Sequence, residues 1–255
     1  MSGPQFDPET FWKSDRLKVF VSIPHDRTDN YQAVVRYMIP FTALYREGLI
    51  EKPVVGTFDE ISANPWCLKL LREADILYDR CAGDGRMTRL LMECQSMGKK
   101  MIVDLDDDFW MVDPLNPTYE QTGTDEVWAE NSKGEKVKLW EDGRDNFDIA
   151  RNRRHVDMVA FAVGKADLVT CTTERLAGRL RRWNENIAVI PNPIDTPIWK
   201  GVLPHEGFNV GWIGGDSHAR DVGMVIGPLT EFLRRHEDAH VQICLLYTSP
   251  SPRDA

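Results

Sequence analysis

I-A-V-I-P-N-P-I-D (Ile187–Asp195), followed by F-N-V-G-W-I-G-G-D-S-H-A-R-D (Phe208–Asp221), decides the reading of this chain. Ile187 to Ile190 is an apolar strand stopped by Pro191 and Pro193. Phe208 to Ile213 is a second apolar strand, ending at Gly214-Gly215. A helix is expected next, capped by Asp216 or Ser217 and carrying Val222, Val225, Ile226 and Leu229 on one face. A strand, a glycine pair and a helix start can together hold an anion, because free N–H groups and the helix dipole converge there.

Working back from this stretch, apolar strands are expected at 17–23, 53–58, 74–80, 100–105 and 166–171. Helices separate them, notably Tyr31–Glu47 with Pro40 inside it. Alternating strands and helices predict an α/β fold with one mainly parallel, Rossmann-like sheet and right-handed crossovers. Phe208–Ile213 should stand apart from that sheet as the first βα unit of a second Rossmann-like domain. The expected domains are 1–203, 207–243 and a tail at 244–255. Between about 120 and 145 the pattern breaks into a β-hairpin turning at Ser132-Lys133-Gly134, with Trp128 and Trp140 in its arms. The basic stretch E-R-L-A-G-R-L-R-R-W after Thr173 reads as an amphipathic helix with a solvated charged face.

The composition is that of an ordinary globular protein, 42% hydrophobic and 28% charged. A net charge of -9 argues against general nucleic-acid binding. No apolar run approaches the ~20 residues of a membrane span, and the N-terminus lacks the pattern of a signal peptide. The five cysteines form no C-x-x-C pair, which predicts free thiols in a reducing, cytoplasmic setting. Cys244 to Asp254 reads C-L-L-Y-T-S-P-S-P-R-D, which can be a natural Pro/Ser tail but matches the translation of a transposase sequencing adapter. The biological sequence is therefore expected to stop near Ile243, with a non-native tail that packs little.

Ligands of parallel sheets bind off the carboxyl ends of the strands. His25, Asp26, Asp79, Arg80 and the run D-L-D-D-D (Asp104–Asp108) fall at such ends. One reading of that run is an acid cluster that caps turns. A second follows from its resemblance to the first motif of haloacid-dehalogenase-like phosphatases. There Asp104 would be the nucleophile and Asp106 the acid beside Mg²⁺, with Thr172, Asp216 and Asp221 completing the site. A non-catalytic Rossmann-like binding module is a third.

The combined pattern resembles glycosyltransferases of the GT-B fold, in the family-one-like group with phage and bacterial members. The residues that carry the resemblance are A-D-L-V-T-C-T-T-E-R-L-A (Ala166–Ala177), Ile187–Asp195, V-G-W-I-G-G-D-S-H-A-R-D (Val210–Asp221), and D-L-D-D-D-F-W followed by N-P-T-Y. It covers most of residues 17–243. It implies a first domain that binds an acceptor (glycan, lipid or protein) and a second that binds a nucleotide-sugar, with transfer in a cleft between them and no essential metal. Gly214 and Gly215 then match the glycine turn that admits the donor diphosphate. Ser217 and His218 match the start of the following helix. His218 and Arg220 stand where relatives place basic groups against the leaving diphosphate. At the acceptor side His25, Asp106 and Asp107 are the candidates to take the acceptor hydroxyl proton. An acidic donor motif would fall past Ile243, so these 255 residues alone are expected to lack turnover.

Overall fold

The computed structural model describes residues 11–24, 34–80, 82–131, 133–193, 207–215 and 218–246. The chain divides into two compact units, residues 1–109 with 154–199, and residues 110–153 with 200–255.

The first unit is built on a six-stranded sheet. Its strands are β1 (Val19–Ser22), β2 (Val54–Gly56), β3 (Ile76–Asp79), β4 (Lys100–Leu105), β7 (Leu168–Cys171) and β8 (Ile187–Val189). They lie in the order β2-β1-β3-β4-β7-β8, and every pairing is parallel. This is the Rossmann-like α/β sheet expected from the strand–helix alternation. A parallel sheet is covered on both faces, so its strands read as unbroken apolar runs. All four residues of β1 are accordingly buried. Phe20, Leu77, Met101, Val103 and Val169 are fully buried, and so are Leu70, Leu71, Met87, Leu91, Val163 and Leu180 of the helices. Each such side chain contributes roughly 1.5–3 kcal/mol by leaving water.

The helices of this unit differ from the expected ones in three places. The segment expected as a helix from Tyr31 opens, among described residues, with a π-helical turn at Val34–Met38, and becomes α1 only at Ile39–Arg46. Pro40 has no N–H to give residue 36, so it falls in the first α turn, where none is required. The strand expected to run to residue 58 ends at Gly56. Thr57 caps α2 (Phe58–Ala63) instead, accepting from the Glu60 N–H while Glu60 accepts from the Thr57 N–H. That reciprocal pair outcompetes the last two residues expected of β2. Helix α3 (Pro65–Glu73) follows at once, capped by Asn64. Helix α4 (Gly85–Ser96) is capped by Asp84, which takes the N–H groups of Arg86 and Met87. Thirdly, the basic helix after Thr173, α7 (Glu174–Leu180), stops short of the Arg-Arg-Trp that the sequence pattern had included.

The second unit holds a short helix α5 (Tyr119–Thr122), the hairpin β5 (Val127–Glu130) and β6 (Lys136–Trp140), and the first residues of α6 (Ile149–Lys165). The hairpin falls where it was expected. Tyr119, Trp140 and Phe147 form its small aromatic core, and the Trp140 indole donates to the Pro114 carbonyl at 2.6 Å. Buried Asn152 donates to the carbonyls of Glu120 and Gly123, fixing α5 to α6.

The same unit contains β9 (Phe208–Gly215), α8 (Ala219–Arg235) and β10 (Ala239–Leu246). The two strands are parallel and form their own sheet. Phe208–Ile213 thus lies outside the six-stranded sheet, as expected. What was read as a lone βα unit is a β-α-β unit: the alternation in A-H-V-Q-I-C-L-L makes a second strand. That strand does not stop at Ile243, because backbone pairing carries it on to Leu246 opposite Gly215. Residues 247–255 lie outside the described ones.

Candidate functional site

At the carboxyl edge of the six-stranded sheet, the first candidate is Asp104 on β4. It is 1% exposed. Oδ1 accepts from Arg36 Nη2 at 2.5 Å and from the Thr170 hydroxyl at 2.5 Å. Oδ2 accepts from Arg36 Nε at 3.1 Å and from Arg80 Nη1 at 2.6 Å. A carboxylate offers about four acceptor positions, and these donors fill them. Asp104 is therefore a keystone for its neighbours, with no lone pair left to attack a phosphoryl group.

Arg80 follows β3 directly and reaches past Asp104 to Asp106, with both Nη atoms 3.3 Å from Oδ1. Arg36 has a third partner set: Nη1 donates to the Ile190 carbonyl at 2.6 Å and to Asn192 Oδ1 at 3.2 Å. The P-N-P segment after β8 is thereby fastened to β4. Burial works against the charge on both arginines, but the attraction of Asp104 and Asp106 outweighs it, so both guanidiniums sit above their ordinary range. Burial, reinforced by the Asp104 charge, also drives the Tyr78 phenol upward; its hydroxyl donates to the Arg36 carbonyl. Two guanidiniums against two carboxylates leave this cluster without net charge.

The strand order reverses direction at β1, which has β2 on one side and β3 on the other. Crevices at such switch points are where open parallel sheets take ligands. Ser22 and Asp79, paired across β1 and β3, lie at that point, both buried, with the Ser22 hydroxyl 2.6 Å from Asp79 Oδ1. Further along the edge, Asp107 is exposed and Asp106 partly so. The Thr172 hydroxyl donates to the Asp106 carbonyl at 3.3 Å. Asp108 is held by Arg179 of α7 at 2.6 Å, so one arginine of the basic helix leaves the solvated face assigned to it.

Of the residues selected from sequence, Asp104, Asp106, Arg80 and Thr172 come together in this one network. Asp107 adjoins it. His25, Asp26, Asp216 and Ser217 lie outside the described residues, as does the side chain of Arg220. Gly214 and Gly215 are not a turn: both belong to β9, opposite Leu245 and Leu246. Strand pairing continues through them because a parallel ladder needs only backbone groups. His218 is the N-cap of α8 without a side-chain cap bond, and its Nδ1 lies 2.8 Å from Asp221 Oδ2. Both groups are more than half exposed.

Sequence reasoning passed over Arg36, Thr170 and Asn192 as members of the network. A signal for Arg36 was present: it stands inside V-V-R-Y-M, and a charge in an apolar run needs a buried partner. Apart from the network, the first unit has a cavity of about 570 Å³ beside β2, α2 and α3, lined by Phe11, Val54, Ala63, Trp66 and Leu70. It shares no residue with the strand-end cluster.

No helix among the described residues is long and apolar enough to cross a membrane. No protein-family model matches the chain, and no curated protein matches it.

Proposed function

We propose that the chain is part of a nucleotide-sugar-dependent glycosyltransferase of GT-B type, with the six-stranded unit on the acceptor side and the β9-α8-β10 unit opening the donor side. The observation that carries this reading is the second parallel β-α-β start on its own sheet, following a complete six-stranded sheet in the same chain. In this reading Asp107, exposed beside the Arg80-held Asp106, takes the proton of the acceptor hydroxyl. Arg80 and Arg36 fix the acidic edge so that its carboxylates do not swing. On the donor side, the diphosphate approaches the first-turn amides of α8, where His218 leaves N–H groups without a side-chain cap. The donor is a substrate, and the reading calls for no essential metal. A single helix terminus offers an exposed anion only about 0.3–1 kcal/mol, so binding by these amides alone is weak.

The phosphatase reading finds little support in the geometry, since it asks Asp104 to be a free nucleophile. The two readings separate in one experiment. The chain is titrated with a panel of nucleoside diphosphates and nucleotide-sugars, and separately with Mg²⁺ and beryllium fluoride, while backbone amide signals are followed by NMR. Nucleotide-dependent shifts centred on residues 214–222 support the transferase. Beryllium fluoride shifts centred on Asp104, with none from nucleotides, would overturn it.

A further inference from the structure

His155 of α6 is turned against two loops of the first unit, the one after β3 and the one after β4. A Cβ placed on Gly83 would stand 2.0 Å from the imidazole Cε1, so this loop position has room only for glycine. The Gly83 backbone, close to the ring, favours its protonated form. The Phe109 ring meets it edge-on, with centroids 5.8 Å apart at 63°. One turn further along α6, the Met158 methyl lies 3.1 Å from where a Gly85 Cβ would be. Helix α6 is therefore seated on both loops through His155 and Met158. The same loops lead to Arg80 on one side and Asp106–Asp108 on the other.

The charged groups on the packed elements are engaged away from the ring. Asp84 faces Arg86 and the first amides of α4. Asp106 faces Arg80, and Asp108 faces Arg179. Asp107 is exposed, as are Arg151, Arg153, Arg154 and Asp157 of α6. Burial lowers the proton affinity of the ring, and the Gly83 backbone offsets only part of that.

We propose that His155 is an acid-sensitive latch: neutral, it clamps the Gly83–Gly85 and Phe109 loops to α6, and protonated, it moves to water and releases both. A charged imidazole wedged against the Phe109 edge and a backbone segment is poorly solvated, whereas the same ring outside the wedge is fully hydrated. Release would loosen the mounting of Arg80 and Asp106, whichever ligand the strand ends hold.

The test is an NMR pH titration of the whole chain, reading the His155 Cε1–H signal together with the amides of Gly83, Gly85 and Phe109. The expected result is a ring midpoint below the ordinary value of about 6.5, with the three loop amides shifting at that same midpoint. In His155→Gln, which keeps a donor but cannot titrate, the loop transition should vanish. Loop amides that stay fixed while the ring titrates would overturn the latch, and so would a loop transition that persists in His155→Gln. Should the variant not fold, the wild-type titration alone decides, through the match or mismatch of midpoints.

Discussion

Arg36 Nε and Nη2 grip the two carboxylate oxygens of Asp104 at 3.1 and 2.5 Å, a fork-to-fork pair between residues 68 positions apart whose side chains are 1% and 0% exposed. The pair joins the segment after β1 to the centre of the sheet. Through Nη1 it also holds the chain after β8. Its net worth against an apolar pair is small or negative, because both charges lose water. Losing Arg36 is a different matter, since it leaves the Asp104 charge buried with only Arg80 and Thr170 to answer it.

Arg36→Met should therefore destabilise the first unit by about 3–5 kcal/mol. Arg36→Met combined with Asp104→Leu should cost clearly less than the sum of the single changes, although Arg80 and Thr170 lose a partner too. Urea denaturation of the four proteins in a double-mutant cycle measures the coupling. Additive losses would mean that the pair does not act as a unit.

Thr57→Ala removes half of the reciprocal cap on α2 and should cost about 0.5–2 kcal/mol. Glu60→Ala should cost less, because the Thr57 hydroxyl still accepts the Glu60 N–H. Thermal unfolding monitored by circular dichroism would rank them.

Two glycines should respond with opposite signs. Gly178 lies within α7 with open space where a Cβ would go, so Gly178→Ala should stabilise by roughly 0.5–1 kcal/mol. Gly83→Ala meets the His155 ring and should destabilise by more than Gly178→Ala gains. Equal effects at both sites, measured by the same denaturation series, would contradict the packing described for His155.

Asp167 carries an acid-dependent share of stability. Burial raises its proton affinity, but the Met101 N–H together with Lys100 and Gln95 more than compensates, so its carboxyl lies below the ordinary range. Above the unfolded value of about 3.9 both states are ionised and the stabilisation is complete; it is lost as pH falls through the depressed folded value. His155 acts in the same direction at higher pH. Its folded affinity is also depressed, so its contribution is whole above about 6.5 and declines as the unfolded state gains a proton. Unfolding free energy measured from about pH 7 down to about pH 2–3 should fall less steeply for Asp167→Asn than for the wild type. For His155→Gln, the slope should differ from that of the wild type only in the weakly acid range.

The strands of the first unit were legible because each is a short apolar run closed by Pro, Gly or an acidic turn, and because a sheet buried on both faces admits little else. The hairpin was legible from its turn and its two tryptophans. Thr57 carried its own signal in T-F-D-E, the capping-box spacing, yet an apolar P-V-V-G-T-F ahead of it reads equally well as strand; a local hydrogen-bond pair settles that contest. The Gly214-Gly215 turn failed for a related reason. Glycine permits a turn but does not impose one, and the partner strand that keeps the pair extended stands some thirty residues later, at Leu245 and Leu246.

Sequence by itself determined the α/β class, the parallel sheet, the break before Phe208 and the gathering of acids at the end of β4. Those features follow from local periodicity and from the chain's own punctuation. Only the tertiary structure decided what the acids do. Asp104 is bound on all sides because Arg36, Arg80 and Thr170 arrive from three distant segments, and no spacing along the chain encodes that meeting. Hydrophobic pattern is written residue by residue, whereas the partners of a buried charge are set by which strands become neighbours.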